Sequence, residues 1–151
     1  MSIILFKFEK DAMHYLIAER NGSEISISNK EKISFATAGT QGEKYQAILD
    51  TLNSIKSKYP AETFAYQAQQ KYRGAIKDEE SYANAAILQL FCAQETIELL
   101  ELSTPIVREK VSIPLKDFKV LLESKKKELA TALPITKSDK LMDGLALLSL
   151  T

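Results

Sequence analysis

Ile3-Ile4-Leu5-Phe6-Lys7-Phe8-Glu9, then Met13-His14-Tyr15-Leu16-Ile17-Ala18-Glu19-Arg20, then Asn21-Gly22: this stretch decides the fold class. Its first segment is apolar and then alternates, the pattern of a strand with one covered face. Lys10-Asp11 breaks it, the second segment reads as another strand, and Asn21-Gly22 is the strongest short hairpin signal in the chain. Beyond it, Ile25, Ile27, Ile33 and Phe35 alternate with polar residues and predict a third strand, interrupted near Asn29. The first third therefore reads as an antiparallel meander.

The period then changes. Tyr45, Ile48, Leu49, Leu52 and Ile55 recur at helical spacing between Gly42 and Tyr59, and Pro60 stops that helix. Thr63 to Ala68 is short, aromatic and β-like, and Gln69 to Gly74 reads as a polar loop. Asp78-Glu79-Glu80 suits a helix start, and the spacing predicts a helix from about Ser81 to Leu100, apolar on nearly every face and packed on a sheet. Thr104 to Arg108 predicts a fifth strand. Pro114 opens a helix through Leu115, Phe118, Leu121, Leu122 and Leu129, with Lys125, Lys126 and Lys127 on its solvent side, and Pro134 ends it. A last helix closes the chain. At its start Asp139 and Asp143 stand four apart, about one turn, so both are expected on one face. The order β-β-β-α-β-α-β-α-α predicts an α/β fold: a mixed five-stranded sheet, three antiparallel strands first, with helices on both faces. No repeat or linker interrupts residues 1–151, so one domain is expected.

Bulk properties narrow the function classes. Twenty basic and 20 acidic residues cancel, which argues against a protein that coats nucleic acid indiscriminately but permits a local basic patch. Cys92 is the lone cysteine and lies in an apolar run, so it reads as a buried inert thiol; no disulfide or thiolate zinc cluster can form. His14 is the lone histidine, which leaves no histidine pair or clear triad and reads as a strand-surface residue. Only five glycines occur, without a Walker or dinucleotide pattern. The apolar run at Met1 to Phe8 is too short for a signal peptide and no membrane-length segment follows, so a cytoplasmic protein is expected.

The order of elements, the Tyr66 to Leu100 segment and the terminal Asp143-Gly144-Leu145-Ala146-Leu147-Leu148 resemble the RuvC-type branch of the ribonuclease-H-like superfamily, whose small bacterial members are similar over nearly the whole chain. The resemblance implies a nuclease of branched DNA that uses two divalent ions held by four acidic positions. Two hard cations a few ångströms apart require several carboxylate oxygens. In the family the first acid lies along the first strand before a Gly-containing turn, the second closes the fourth strand, and the last two begin the final helix.

Carried over by position, the match is partial. The first acid falls at Lys7, Phe8 or Glu9, of which only Glu9 can serve, and Lys10-Asp11-Ala12 replaces the Gly-containing turn. The second falls at Tyr66-Gln67, where neither side chain is an ionised ligand. Asp143 matches; the family's other helix acid falls at Lys140, with Asp139 one residue farther away. The candidate catalytic and metal residues are thus Glu9, Asp139 and Asp143, with Mg²⁺ or Mn²⁺ the cofactor only if the chain is active and none expected otherwise. Gln67, Lys71, Tyr72 and Arg73 interleave basic, polar and aromatic character and are candidate nucleic-acid contacts. Plainer readings stand beside these. Thr136 to Asp139 fits a capping box, Asp139 and Asp143 suit a first helical turn, Glu9 suits a solvent-facing strand, and the lysine run and the polar loop suit solvated surface. Loss of one carboxylate weakens a site that holds cations by charge, so the leading expectation is a catalytically degenerate RuvC-like binding or interaction module with DNA or RNA as candidate partner. A divergent active nuclease and a homo-oligomeric scaffold, such as a homodimer, are the alternatives.

Overall fold

A computed structural model of the chain describes residues 1–68, 71, 72, 75, 76 and 78–151, with residues 71, 72, 75 and 76 described as backbone. Strands β1 (Ser2–Glu9), β2 (Ala12–Asn21) and β3 (Glu24–Ser34) form the expected meander. Helix α1 (Gln41–Lys58) and strand β4 (Thr63–Gln67) follow. A short ladder of β5 (Lys71–Tyr72) and β6 (Ala75–Ile76) precedes α2 (Glu79–Glu95). Strand β7 (Glu98–Leu102), α3 (Thr104–Val111), α4 (Leu115–Ala132) and α5 (Met142–Ser149) complete the order. The main sheet runs β3-β2-β1-β4-β7, antiparallel across the meander and parallel from β1 to β4 to β7. The α/β class and the mixed five-stranded sheet are as expected.

The meander forms because its turns and its alternation agree. Gly22 takes a φ of 65°, which its lack of a Cβ permits, and Asn21 pairs with Glu24 across the hairpin. The expected interruption near Asn29 is a β-bulge: the register moves from Ile17↔Asn29 to Ala18↔Ile27, which leaves Ser28 as the extra residue. Alternation along β1 then divides two cores. Ile4, Phe6 and Phe8 pack with Met13, Tyr15, Phe64, Leu88 and Phe91 beneath α1 and α2. Ile3 and Leu5 pack with Leu16, Ala65, Val107, Phe118 and Leu145 beneath α3, α4 and α5. Both faces of the central strands are covered, as parallel pairing requires.

Four expectations of detail are corrected. The helix expected to reach Leu100 stops at Glu95, and the fifth strand is Glu98–Leu102, not Thr104 to Arg108. Thr104 to Arg108 lies instead in α3, where Ser103 accepts from the Ile106 N–H at 3.3 Å and Pro105 occupies the first turn. Helix α2 is covered on one face only: Leu88, Phe91 and Cys92 are buried while Leu90 is exposed. Within the polar segment read as a loop, Lys71 and Tyr72 are paired with Ile76 and Ala75; Gln69, Gln70, Arg73 and Gly74 lie outside the described residues. Among the described residues no helix is long and apolar enough to cross a membrane.

Candidate functional site

The register of the sheet builds a transverse row of polar side chains at the ends of the central strands. Lys7 stands opposite His14, and His14 opposite Lys32. Gln67 follows Phe6↔Tyr66 by one step on β4, beside Lys7. By strand alternation Lys7, Glu9, His14, Lys32 and Gln67 share the sheet face covered by α5. Phe8, one of the three aligned positions for the first acid, is buried on the opposite face. Lys7 therefore occupies the position beside Gln67, and Glu9 lies farther along the strand.

Glu9 is engaged. Its Oε1 shares a hydrogen bond with His14 Nε2, which holds its carboxyl below the usual range; burial opposes this, and the charges of His14, Lys140 and Lys32 add to it. His14, read as a strand-surface residue, is largely covered, its side chain 13% exposed. The turn after Glu9 is pinned from the other face, where the buried Asn84 amide donates to the carbonyls of Glu9 at 2.9 Å and Lys10 at 3.0 Å. Lys44 also donates to the Lys10 carbonyl, at 3.1 Å. A tethered Lys10-Asp11 turn thus stands where the family has glycine.

The two terminal aspartates do not share a helical face, which corrects the expectation from their spacing. Helix α5 begins at Met142, so Asp143 lies in its first turn and Asp139 in the segment before it. Asp139 accepts the Leu141 N–H at 2.9 Å and pairs with Lys30. Burial pushes its carboxyl upward, but the hydrogen bonds from Lys30 and Leu141 and the Lys30 charge outweigh burial and leave it below its ordinary range. The capping box does not form: the residue preceding α5 is Leu141, which offers no side-chain cap. Asp143 pairs with Lys126 at 2.8 Å, and Lys126 also reaches Glu123 at 3.0 Å. The hydrogen bond to Asp143 raises the Lys126 ammonium above its usual range, against the pull of burial. Lys126 was expected on the solvent side of α4, yet its side chain is 15% exposed; the Asp143 carboxylate draws it inward.

Helix α5 sits so close to β1 that a Cβ on Gly144 would lie 3.3 Å from both Leu5 methyl carbons and 3.6 Å from Gln67 Cβ. This contact brings Gln67 against Asp143 in a small cavity of about 180 Å³, also lined by Ser103, Leu122, Lys126 and Leu147. The Gln67 Oε1 is buried there without a hydrogen-bond partner among the described residues.

The donor set does not fit two divalent cations. Glu9, Asp139 and Asp143 are each held by a different basic side chain, Gln67 is neutral, and Lys7 stands in the row where an acid is needed. Among the described residues no group of three or more His, Cys, Asp or Glu side chains is placed to hold a metal ion. The sequence reading missed Lys30 and Asn84 and placed Lys126 in a solvated run; the signal available for a lost acid was Lys140 at the position the resemblance gives to one. Of the candidate nucleic-acid contacts, Gln67 lies at the site, the backbone of Lys71 and Tyr72 follows β4 closely, and Arg73 lies outside the described residues. Cys92 is buried, and burial pushes its thiol up to about 11, consistent with an inert residue.

Among solved structures the chain is similar to Thermus thermophilus RuvC in complex with Holliday junction substrate. The TM-score is 0.69 at 12% identity, covering 99% of this chain and 91% of that one. It is similar to the yeast mitochondrial Holliday junction resolvase, with a TM-score of 0.62 at 13% identity over 98% and 76% of the two chains. It is also similar to the fowlpox virus Holliday junction resolvase, with a TM-score of 0.57 at 11% identity over 97% and 94%. No family model matches the chain, and no curated protein matches it in sequence. The fold is RuvC-like and ribonuclease-H-like.

Proposed function

We propose that this RuvC-like chain is a binding module that holds nucleic acid without cutting it. One observation carries the reading: each candidate carboxylate is engaged by a basic side chain of the same chain, Glu9 by His14, Asp139 by Lys30 and Asp143 by Lys126. A divalent ion would have to displace the imidazole or ammonium already bound, and the three candidate carboxylates stand in three separate pairs. The similarity to resolvases, one of them described in complex with a Holliday junction, supports nucleic acid as the partner class. Gln67, Lys71, Tyr72 and Arg73 are the proposed contacts, with base stacking by Tyr72 and phosphate contact from Lys71 and Arg73.

The test has two arms. Mg²⁺ or Mn²⁺ titrated during thermal melting is expected to leave the Tm of the wild-type chain and of Asp143→Asn alike unmoved, because an ion that binds no native site stabilises neither. A metal-dependent rise in Tm that Asp143→Asn abolishes would establish a working metal site and the nuclease alternative using Glu9, Asp139 and Asp143. Branched and linear DNA are expected to be retarded in a mobility assay, with affinity falling as salt rises. If neither is retarded, the nucleic-acid role falls and a homo-oligomeric scaffold becomes the better account.

A further inference from the structure

A second cleft lies on the β2–β3 side of the row, with a volume of about 390 Å³. Its charged lining includes His14, Lys30, Lys32, Asp139 and Lys140. Two strands, β2 and β3, and the segment before α5 contribute to it, so it is a feature of the tertiary fold and not of a single element. What matters is which charges are already spent. Asp139 is paired with Lys30, and Glu9, which approaches through His14, is bound to that imidazole. Glu31 also borders the cleft, but its carboxylate accepts from the Tyr15 hydroxyl on the opposite face of the sheet. Lys32 and Lys140 are exposed and make no salt bridge among the described residues. Both line the same cleft.

We infer that this cleft is a phosphate seat, in which Lys32 and Lys140 hold one phosphodiester group of a nucleic-acid backbone and the largely covered His14 forms its floor. The inference rests on the nucleic-acid reading and deepens it: the chain meets the backbone with its own ammonium groups, and no divalent ion is needed. Two ammonium groups lining one concave surface bind a tetrahedral oxyanion more firmly than the same charges scattered over a convex one, because low-dielectric walls focus their field. Lys30 is not counted as a ligand. Its pairing with Asp139 fixes the segment that presents Lys140.

The test uses the full chain and the double variant Lys32→Gln/Lys140→Gln. Lys116→Gln/Lys119→Gln, on the exposed face of α4, serves as a charge-matched control. All four side chains are exposed, so the variants retain the fold, and thermal melting verifies it. Inorganic phosphate titrated into labelled protein is expected to move the His14 ring resonances and the amides of Lys32, Lys140 and Leu141, and to leave them still in the cleft variant. In DNA binding, the slope of log affinity against log salt is expected to become shallower by roughly 1 in the cleft variant, the change for one phosphate contact removed, and to stay unchanged in the control. DNA bound with an unchanged slope, or phosphate shifts spread over all lysine-bearing surfaces, overturns the seat while leaving the nucleic-acid reading intact. Phosphate shifts confined to the cleft in a protein that retards no DNA retain an anion site and overturn the nucleic-acid reading.

Discussion

Asp139 shows how one residue's surroundings decide its role. Its side chain is 14% exposed, it faces Lys30, it accepts the Leu141 N–H, and it feels the charge of His14. These favour the carboxylate over the acid. Because the folded pKa lies below the unfolded value, the stabilisation is complete above about pH 3.9 and is lost as pH falls through the folded value. Asp139→Asn is therefore expected to cost about 1–2 kcal/mol at neutral pH, as lost charge-assisted hydrogen bonds do. Denaturant titrations at pH 7 and pH 3 check this: the variant should fall less between the two than the wild-type chain. A deficit that is equal at both pH values would place the residue's contribution elsewhere.

At the scale of elements, the end of α2 explains both what the sequence revealed and what it concealed. The apolar run continues past Glu95 through Ile97, Leu99 and Leu100, so periodicity alone extends the helix. The chain stops it with Thr96 at a φ of 56°, a left-handed cap that normally calls for glycine. A β-branched residue there is strained, and Thr96 is exposed, so Thr96→Gly is expected to raise stability by about 0.5–1 kcal/mol after the entropic cost of glycine. Ser103 and Pro105 were a readable start for α3, but a β-like run of residues outweighed them. The meander was legible because its alternation and the Asn21-Gly22 turn agree. Helix α5 carries the opposite constraint at Gly144, where Leu5 is fully buried and cannot retreat. Gly144→Val is expected to destabilise by about 2–3 kcal/mol through overpacking, measured by the same denaturant titration.

For the whole molecule, the elements that carry Glu9, Gln67 and Asp143 were legible in the sequence, whereas the place of Asp139 before α5 and the partners of both aspartates were not. Glu9, Gln67 and Asp143 fall on β1, β4 and α5 as their spacing implied, but the cations that hold the aspartates are remote in sequence. Lys30 and Asp139 are 109 residues apart, a pairing that no local pattern encodes. The same distance governs assembly. Helix α5 lies on β1 with its end fastened by Arg20, which donates to the Leu148 carbonyl at 3.4 Å and to the Thr151 carbonyl just beyond the helix at 2.5 Å, so the last element closes on the first two strands. Contacts of such separation form late, because loop closure must precede them. Leu145→Ala, at a fully buried position, is expected to cost roughly 3 kcal/mol and to appear mainly as faster unfolding with little change in refolding rate. Stopped-flow measurement of both arms checks this, and slower refolding would move α5 into the folding nucleus.

The Lys30–Asp139 pair has a consequence for the chain during its own synthesis. Lys32 emerges from the ribosome with the meander, yet Lys140 and the segment that carries it follow about a hundred residues later, some 5–20 s at ordinary elongation rates. Throughout that interval the meander can fold but the cleft has only one wall. Until Asp139 follows, Lys30 and Lys32 stand on the meander as two ammonium groups without those later partners, so the pairing withdraws one of the two only when the segment before α5 docks.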